Sequence, residues 1–247
     1  MTTRFARLLI DTADTLSHAR NGEDAWLRIE AIVSRIGGEA VNAGAFLPVT
    51  RQIAWTRSSM APEWLEEYAR EELYEIDPLL AAAIAGTPPP FYSVRDEDLH
   101  ATGDLKRLHA GMMRYNYNFM LTQAWRDGDV STCIAIATRD DPAHLFGPGT
   151  QRALSAVAAM MSLALSPSGP EAPGARTFGT HWRRLTRAEA EVLSRLAEGR
   201  TEAQVADDMK LSEAEIMAIL SGARTKMDSS STDQALALAM ARGLLSI

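Results

Sequence analysis

Apolar positions along the first 165 residues alternate between helical stripes and short strand-like runs, whereas beyond residue 180 only helical stripes occur. From Phe5 to Ala19 a stripe runs through Phe5, Leu8, Leu9, Ala13, Leu16 and Ala19. A second, from Asp24 to Ile36, uses Ala25, Trp26, Ile29, Ile32, Val33 and Ile36, and Gly37-Gly38 stops it. Both predict helices packed on one face of a sheet. Ala43–Val49 and Arg51–Trp55 read as one strand pair. Phe119–Trp125 and Thr132–Thr138, around the turn Asp127-Gly128-Asp129, read as a second. Between the pairs lie a helix-prone block from Ala61 to Pro78, the extended connector Thr87-Pro88-Pro89-Pro90, a polar loop at Ser93–Glu97 and a helix at Leu105–Met113. His109 on that last helix reads as a surface residue. Gln151–Leu165 places Leu154, Val157, Ala158, Met161 and Leu165 on one face and predicts a helix that closes the layer. Ser166–Gly179, rich in Pro, Gly and Ser, reads as an interdomain linker.

The segment from Leu185 to Met227 predicts three short helices with a tight turn before the third, the layout of a helix-turn-helix. Thr186 with Glu189 three residues on, and Ser212 with Glu215, each form a capping-box pair. Thr201 caps the middle helix, Gly199 suits the left-handed end of the first, and Lys210-Leu211 makes the turn. In the third helix Ile216, Ile219, Leu220, Ala223 and Met227 form one buried stripe. The opposite face carries Ala214, Met217, Ala218, Ser221, Gly222 and Thr225, with none of the Arg, Lys, Asn or Gln side chains that read base edges.

The block from Ala61 to Pro78 carries the other candidate chemistry. Pro62 starts a helix, and Trp64, Leu65 and Tyr68 at offsets 0, 1 and 4 put two polar-edged aromatics on one turn. Asp77-Pro78 ends the segment, since the residue before proline avoids helical geometry. Core packing alone accounts for the aromatic spacing. A buried indole N–H, phenol O–H and carboxylate nevertheless each require a partner. A small polar ligand with carbonyls and an amide would satisfy all three.

Both stretches resemble the LuxR-type quorum-sensing regulators. Glu189, Leu193, Gly199, Val205-Ala206, Leu211-Ser212 and Lys226 match the DNA-binding domain of that family, and Asp233–Leu245 matches its fourth helix, which often serves dimerisation. Trp64, Tyr68 and Asp77-Pro78 match its signal-binding motif. The resemblance implies an α+β protein: an α-β-α sandwich, with an antiparallel sheet between helices, over residues 1–165, a linker over 166–180 and an all-α helix-turn-helix domain over 181–247. It further implies an acyl-homoserine lactone-like ligand whose lactone carbonyl accepts from Trp64, whose acyl carbonyl accepts from Tyr68 and whose amide donates to Asp77. Phe91-Tyr92 stands where the family has tryptophan, Asn116 and Asn118 stand near an expected glycine, and Ser131 and Thr132 supply hydroxyls on the last strand. For DNA the candidates are Arg200, Met217, Ser221, Arg224 and Lys226, with Arg183, Arg184 and Arg187 as further phosphate contacts. The implied partners are a signal molecule, promoter DNA and a second copy in a homodimer. Glu213 and Glu215 at the start of the third helix favour an alternative, an orphan member that heterodimerises with a relative or acts without ligand.

Composition narrows these readings. The net charge is −7, and from 181 to 247 nine basic residues face ten acidic ones, which is unlike a general polyanion binder. The single Cys133 excludes an internal disulfide and reads as a buried strand thiol. His18, His100, His109, His144 and His181 show no metal-binding spacing, and no nucleophile triad, phosphate loop or carboxylate pair points to an enzyme. With no apolar run long enough to span a membrane and no signal peptide, the sequence predicts a cytoplasmic protein.

Overall fold

The computed structural model describes residues 2–145, 149–165, 175–176 and 183–245. The chain divides into two compact units, with the described residues up to 165 and 175–176 in the first and 183–245 in the second.

The first unit is built on a six-stranded antiparallel sheet in the order β3-β4-β5-β1-β2-β6, where β1 is Gly38–Leu47, β2 Gln52–Ser58, β3 Phe91–Ser93, β4 Phe119–Asp127, β5 Val130–Thr138 and β6 Ala175–Arg176. Helices α1 (Thr2–Ser17), α2 (Gly22–Arg35) and α7 (Thr150–Ala164) cover one face; α3 (Pro62–Arg70), α4 (Pro78–Ile84), α5 (Val94–Asp98) and α6 (Gly103–Arg114) cover the other. The expected sandwich is present. The predicted stripes of α2 and α7 supply its outer core, with Trp26, Ile29, Ile32 and Val33 of α2 and Leu154, Val157 and Met161 of α7 all buried, whereas the expected stripe of α1 is only half-buried and its Ala13 is exposed. Asn21 starts α2 by accepting from the Asp24 amide at 2.9 Å.

Several expected boundaries shift. Asp77-Pro78 starts a helix rather than merely ending one: Asp77 Oδ1 accepts from the Leu79 and Leu80 amides at 2.8 and 3.3 Å, and Pro78 occupies the first turn of α4. Ser93–Glu97, expected as a loop, enters α5, which Ser93 caps by accepting from the Asp96 amide. Of the expected linker, Ala175–Arg176 pairs with β2 and the rest lies outside the described residues. His181 and the side chain of His144 also lie outside them.

The second unit contains α8 (Arg187–Ala197), α9 (Glu202–Met209), α10 (Glu213–Met227) and α11 (Thr232–Ala241). Capping boxes open α8, α9 and α10, the middle one adding Gln204 to Thr201. Lys210 adopts φ 56° at the turn between α9 and α10. Ile216, Leu220, Ala223 and Met227 form the buried stripe against Val192, Leu193, Val205, Ala206, Ala235 and Leu238, while Ile219, expected in it, is only half-buried.

Candidate functional site

On the sheet face beneath α3, α4 and α6 lies a cavity of about 130 Å³. Its floor is formed by Asn42, Gly44, Thr56, Ser58, Met120, Thr122, Cys133 and Ala135 of four strands, and helical residues including Trp64, Leu65, Tyr68, Leu79, Leu80, Leu108 and Met112 form the roof. Asp77 lines it at the start of α4. Helical spacing within α3 brings Trp64 and Tyr68 to the same side, their rings meeting edge to face at 5.7 Å.

Trp64 is 2% exposed. It sits against Gly111 of α6 so closely that a Cβ there would lie 2.1 Å from the Trp64 ring. Tyr68 donates its hydroxyl proton to Asp77 Oδ2 at 2.8 Å. Burial pushes the Asp77 carboxyl above the ordinary carboxylate range, against the pull of the Tyr68 hydroxyl and the Leu79 and Leu80 amides. Burial and the adjacent Asp77 raise the Tyr68 phenol well above its usual value, so it remains a neutral donor. Sequence spacing thus brings Trp64, Tyr68 and Asp77 together at one cavity, where they can hold a group bearing carbonyl oxygens and an amide.

The other four candidates of this unit do not line the cavity. Phe91 is half-exposed and stacks on Phe119 with ring centres 5.9 Å apart. Tyr92 turns its hydroxyl to His109 Nε2 at 2.9 Å. Thr132 lies on the other sheet face from Cys133 and Ala135, since side chains alternate along a strand. Ser131 shares their face but is buried one step beyond them, paired with Phe46. His109, expected on the surface, is fully buried; burial lowers its pKa while the Asp98, Asp77 and Glu97 carboxylates oppose that shift. Asn116 has φ 63°, so it supplies the left-handed turn after α6 that a glycine would otherwise make. The close approach to Trp64 is made by Gly111 instead. An isolated glycine inside the helical pattern of Leu105–Met113 was the available signal for it. Thr122 and Asn42 were also missed, because strand register decides which hydroxyls face inward. Cys133 lines the cavity, but burial pushes its thiol up to about 12, which leaves it protonated and unreactive at neutral pH. Among the described residues no cluster of His, Cys, Asp or Glu could hold a metal ion, and no helix is long and apolar enough to cross a membrane.

In the second unit α10 presents Ala214, Met217, Ala218 and Ser221 outward, with Met217 63% exposed. Glu215 is occupied structurally: its Oε2 accepts from the Ser212 amide and hydroxyl, each at 2.8 Å, and these bonds hold its pKa low. Glu213 lies exposed in the first turn, where a carboxylate favours the helix dipole. Lys226 is tied to Glu189 at 2.7 Å, and Glu189 also accepts from the Thr186 amide at 2.6 Å. Burial pushes the Glu189 carboxyl up, but these bonds outweigh it and hold the pKa low. Lys226 is therefore a lock between α8 and α10 before it is a phosphate contact. Arg200 pairs with Asp208 at 3.2 Å, and Arg224 is half-buried in the last turn of α10.

The family described as "Autoinducer binding domain" matches residues 21–165, and "Bacterial regulatory proteins, luxR family" matches residues 183–239. SdiA in complex with octanoyl-rac-glycerol aligns over 98% of this chain and 97% of its own, at 15% identity and a TM-score of 0.54. Escherichia coli SdiA in another crystal aligns over 98% and 100%, at 15% identity and a TM-score of 0.52. CepR2 from Burkholderia cenocepacia, an N-acylhomoserine lactone dependent LuxR family transcription factor, aligns over 66% and 93%, at 17% identity and a TM-score of 0.50. At these identities the likeness is one of fold. No curated protein matches the sequence. With an autoinducer-binding domain over more than half its length and a luxR-family DNA-binding domain after it, the chain belongs to the LuxR-type transcriptional regulators, a family of regulators rather than enzymes.

Proposed function

We propose that this regulator takes an acyl-homoserine lactone-like signal into the cavity bounded by Trp64, Tyr68 and Asp77 and couples its occupancy to promoter binding as a homodimer in the cytoplasm. The observation that carries the reading is the Tyr68–Asp77 hydrogen bond at the cavity wall, next to an indole N–H that no group among the described residues accepts. An incoming amide N–H donates to Asp77 Oδ2, and the displaced Tyr68 hydroxyl turns to the neighbouring carbonyl. Trp64 then donates to the ring carbonyl. With the signal bound, the amide, the Tyr68 hydroxyl and the Trp64 indole each have an acceptor, which is the condition for burying such groups without a large penalty.

The size of the cavity limits the chain. Engineered cavities of comparable volume, on the order of 150 Å³, admit a benzene-sized molecule, so the head group and a short acyl chain fit best. Met60, Met112 and Met120 at the wall are unbranched side chains that can repack around a longer one. Occupancy stabilises the fold by mass action. The test is thermal unfolding of the full-length protein with N-butanoyl-, N-hexanoyl- and N-octanoyl-homoserine lactone. A dose-dependent rise in Tm that Tyr68→Phe reduces supports the reading; no rise with any of the three overturns it.

A second reading concerns the other unit. The outward face of α10 lacks base-reading side chains, and Lys226 is engaged with Glu189. That favours weak, phosphate-dominated DNA contact, or a heterodimer with a relative that does the reading. Apolar contact of Met217, Ala214 and Ala218 with thymine methyl groups is the direct readout open to this face.

A further inference from the structure

His109 and Asp98 face each other across the junction of α5 and α6 without a hydrogen bond between them. The His109 ring is fully buried, and its Nδ1 stands 3.7 Å from Asp98 Oδ1. Both atoms are buried and have no hydrogen-bond partner among the described residues. At the other end of the ring Nε2 lies 2.9 Å from the Tyr92 hydroxyl of β3, with the two rings edge to face at 6.0 Å. Burial raises the Tyr92 phenol to about 12, so it keeps its proton at neutral pH and can donate to Nε2. The neutral imidazole then carries its own proton on Nδ1, turned to the Asp98 carboxylate; this tautomer is assigned from the partners, since the alternative would oppose a lone pair to the carboxylate.

Asp98 is already engaged. Its Oδ2 accepts from Lys106 Nζ at 2.6 Å, and the same ammonium donates to the Asp98 backbone carbonyl at 2.9 Å, at the end of α5. Lys106 and His109 lie three residues apart on α6 and so share one side of that helix. A proton on the imidazole would place two cations on one carboxylate, with the imidazolium out of reach of water. Of the other charges, Asp77 at the start of α4 and the exposed Glu97 of α5 also favour protonation, while α3 turns Glu67 and Glu71 to Arg114 and Arg107 of α6. Burial outweighs the carboxylates and holds the ring below its ordinary pKa. The ring also sits behind the cavity roof. Leu108 beside it and Met112 on the next turn line the cavity, and Val94 of α5 packs with Leu108 in the apolar cluster that holds Trp64 and Tyr68.

We infer that His109, Asp98 and Tyr92 form a proton-sensitive clasp between α6 and the β3–α5 segment, closed while the imidazole is neutral and opened by mild acid, so that acid loosens the cavity roof and weakens signal binding. Its last step rests on the reading of the cavity as the signal site. The sign follows from burial. An opened clasp exposes the ring to water, where it takes a proton near the ordinary 6.5, whereas the closed ring takes one only at lower pH. The closed form is therefore favoured above 6.5 and loses ground as pH falls from there through the lowered value, by up to about tenfold per pH unit.

The experiment follows the full-length protein from about pH 7.5 to about pH 5.5, either side of the free imidazole value, in the wild type, His109→Gln and Lys106→Met. Histidine ring NMR signals, with His109 assigned by its absence from His109→Gln, give the titration. Hydrogen exchange, corrected for the intrinsic rate at each pH, reads protection over residues 91–114, and the dissociation constant of N-hexanoyl-homoserine lactone reads the cavity. In the wild type His109 titrates below 6.5, protection over 91–114 falls in acid by up to about tenfold per pH unit, and hexanoyl affinity falls with it. His109→Gln removes the acid response of both. Lys106→Met, at an exposed position that keeps the test open if the buried change impairs folding, frees Asp98 for the imidazolium, so His109 titrates higher than in the wild type and the acid response shrinks. A wild-type ring that titrates at or above 6.5, a titration that Lys106→Met does not raise, an acid response that persists in His109→Gln, or hexanoyl affinity equal at both ends of the range overturns the inference. Absence of hexanoyl binding throughout overturns the cavity reading instead, and the titration and exchange results then decide the clasp by themselves.

Discussion

Replacing Gly111 with alanine sets two effects against each other. In an unhindered helix interior the change gains about 1 kcal/mol, because glycine costs more backbone entropy than alanine. At this position the added methyl carbon would lie 2.1 Å from Trp64 Cζ3, 2.5 Å from Cη2 and 3.0 Å from Cε3. Carbon atoms pack at roughly 3.5 Å or more, so the ring or the helix must retreat by about 1 Å. Trp64 has little freedom to do so: it is 2% exposed and held between Tyr68 and Tyr115, with ring centres at 5.7 and 6.2 Å. Overpacking of this kind costs about 1–3 kcal/mol, and a rigid ring against a helix backbone belongs at the upper end. The net loss is then about 1–2 kcal/mol, a fall in Tm of roughly 2–8 °C for a unit of this size. Trp64→Phe makes room, so the double variant is less destabilised than the two single changes added together, by about 1 kcal/mol or more. Thermal unfolding followed by circular dichroism on all four proteins reads both quantities. A Gly111→Ala protein as stable as the wild type, or strictly additive losses, would refute the packing argument.

The same geometry sets further outcomes. Because burial raises the folded-state pKa of Asp77, its contribution to stability is fully present below the ordinary value of 3.8 and is lost as pH rises through the raised value. Asp77→Asn keeps an acceptor for the α4 amides without a charge, so the Tm of the variant relative to wild type rises with pH above 3.8; a pH-independent difference would contradict the assignment. Lys226→Met leaves the buried Glu189 carboxylate without its cation, and urea denaturation should show the second unit weakened by about 1–3 kcal/mol. A loss of DNA affinity with unchanged stability would instead make Lys226 chiefly a phosphate contact. Met217→Lys adds a cation to the exposed face of α10, and DNA binding across a salt series should steepen by about one unit of slope. No change in slope would show that this face does not approach DNA.

Regular features were legible in the sequence where a local rule governed them. The stripes of α2, α7 and α10 became buried faces, and both proposed capping boxes of the second unit formed, because side-chain periodicity and cap chemistry act within a few residues. Trp64, Tyr68 and Asp77 converge because one helix turn and one N-cap place them. Hydroxyls on strands were not legible in the same way. Their facing depends on register: in the β4–β5 hairpin Thr122 pairs with Ala135 and points into the cavity, while Thr132 pairs with Trp125 and faces the opposite helices. His109 illustrates the same limit, since only the arrival of β3 beside α6 gives its ring the Tyr92 hydroxyl as a partner. Asp77-Pro78 carried two meanings at once, closing the block that begins at Ala61 and opening α4.

The proposal that a signal in the Trp64–Tyr68–Asp77 cavity controls promoter binding by the second unit can be tested on the intact regulator. The most direct measurement incubates the full-length protein with fragmented genomic DNA of its source at low salt, with and without N-hexanoyl-homoserine lactone and its 3-oxo analogue, and sequences the retained fragments. The expected result is enrichment of a discrete, roughly palindromic site whose retention changes with the signal, with that dependence lost in Tyr68→Phe. Retention of the same fragments to the same extent with and without either probe, by protein shown to be folded, would contradict it.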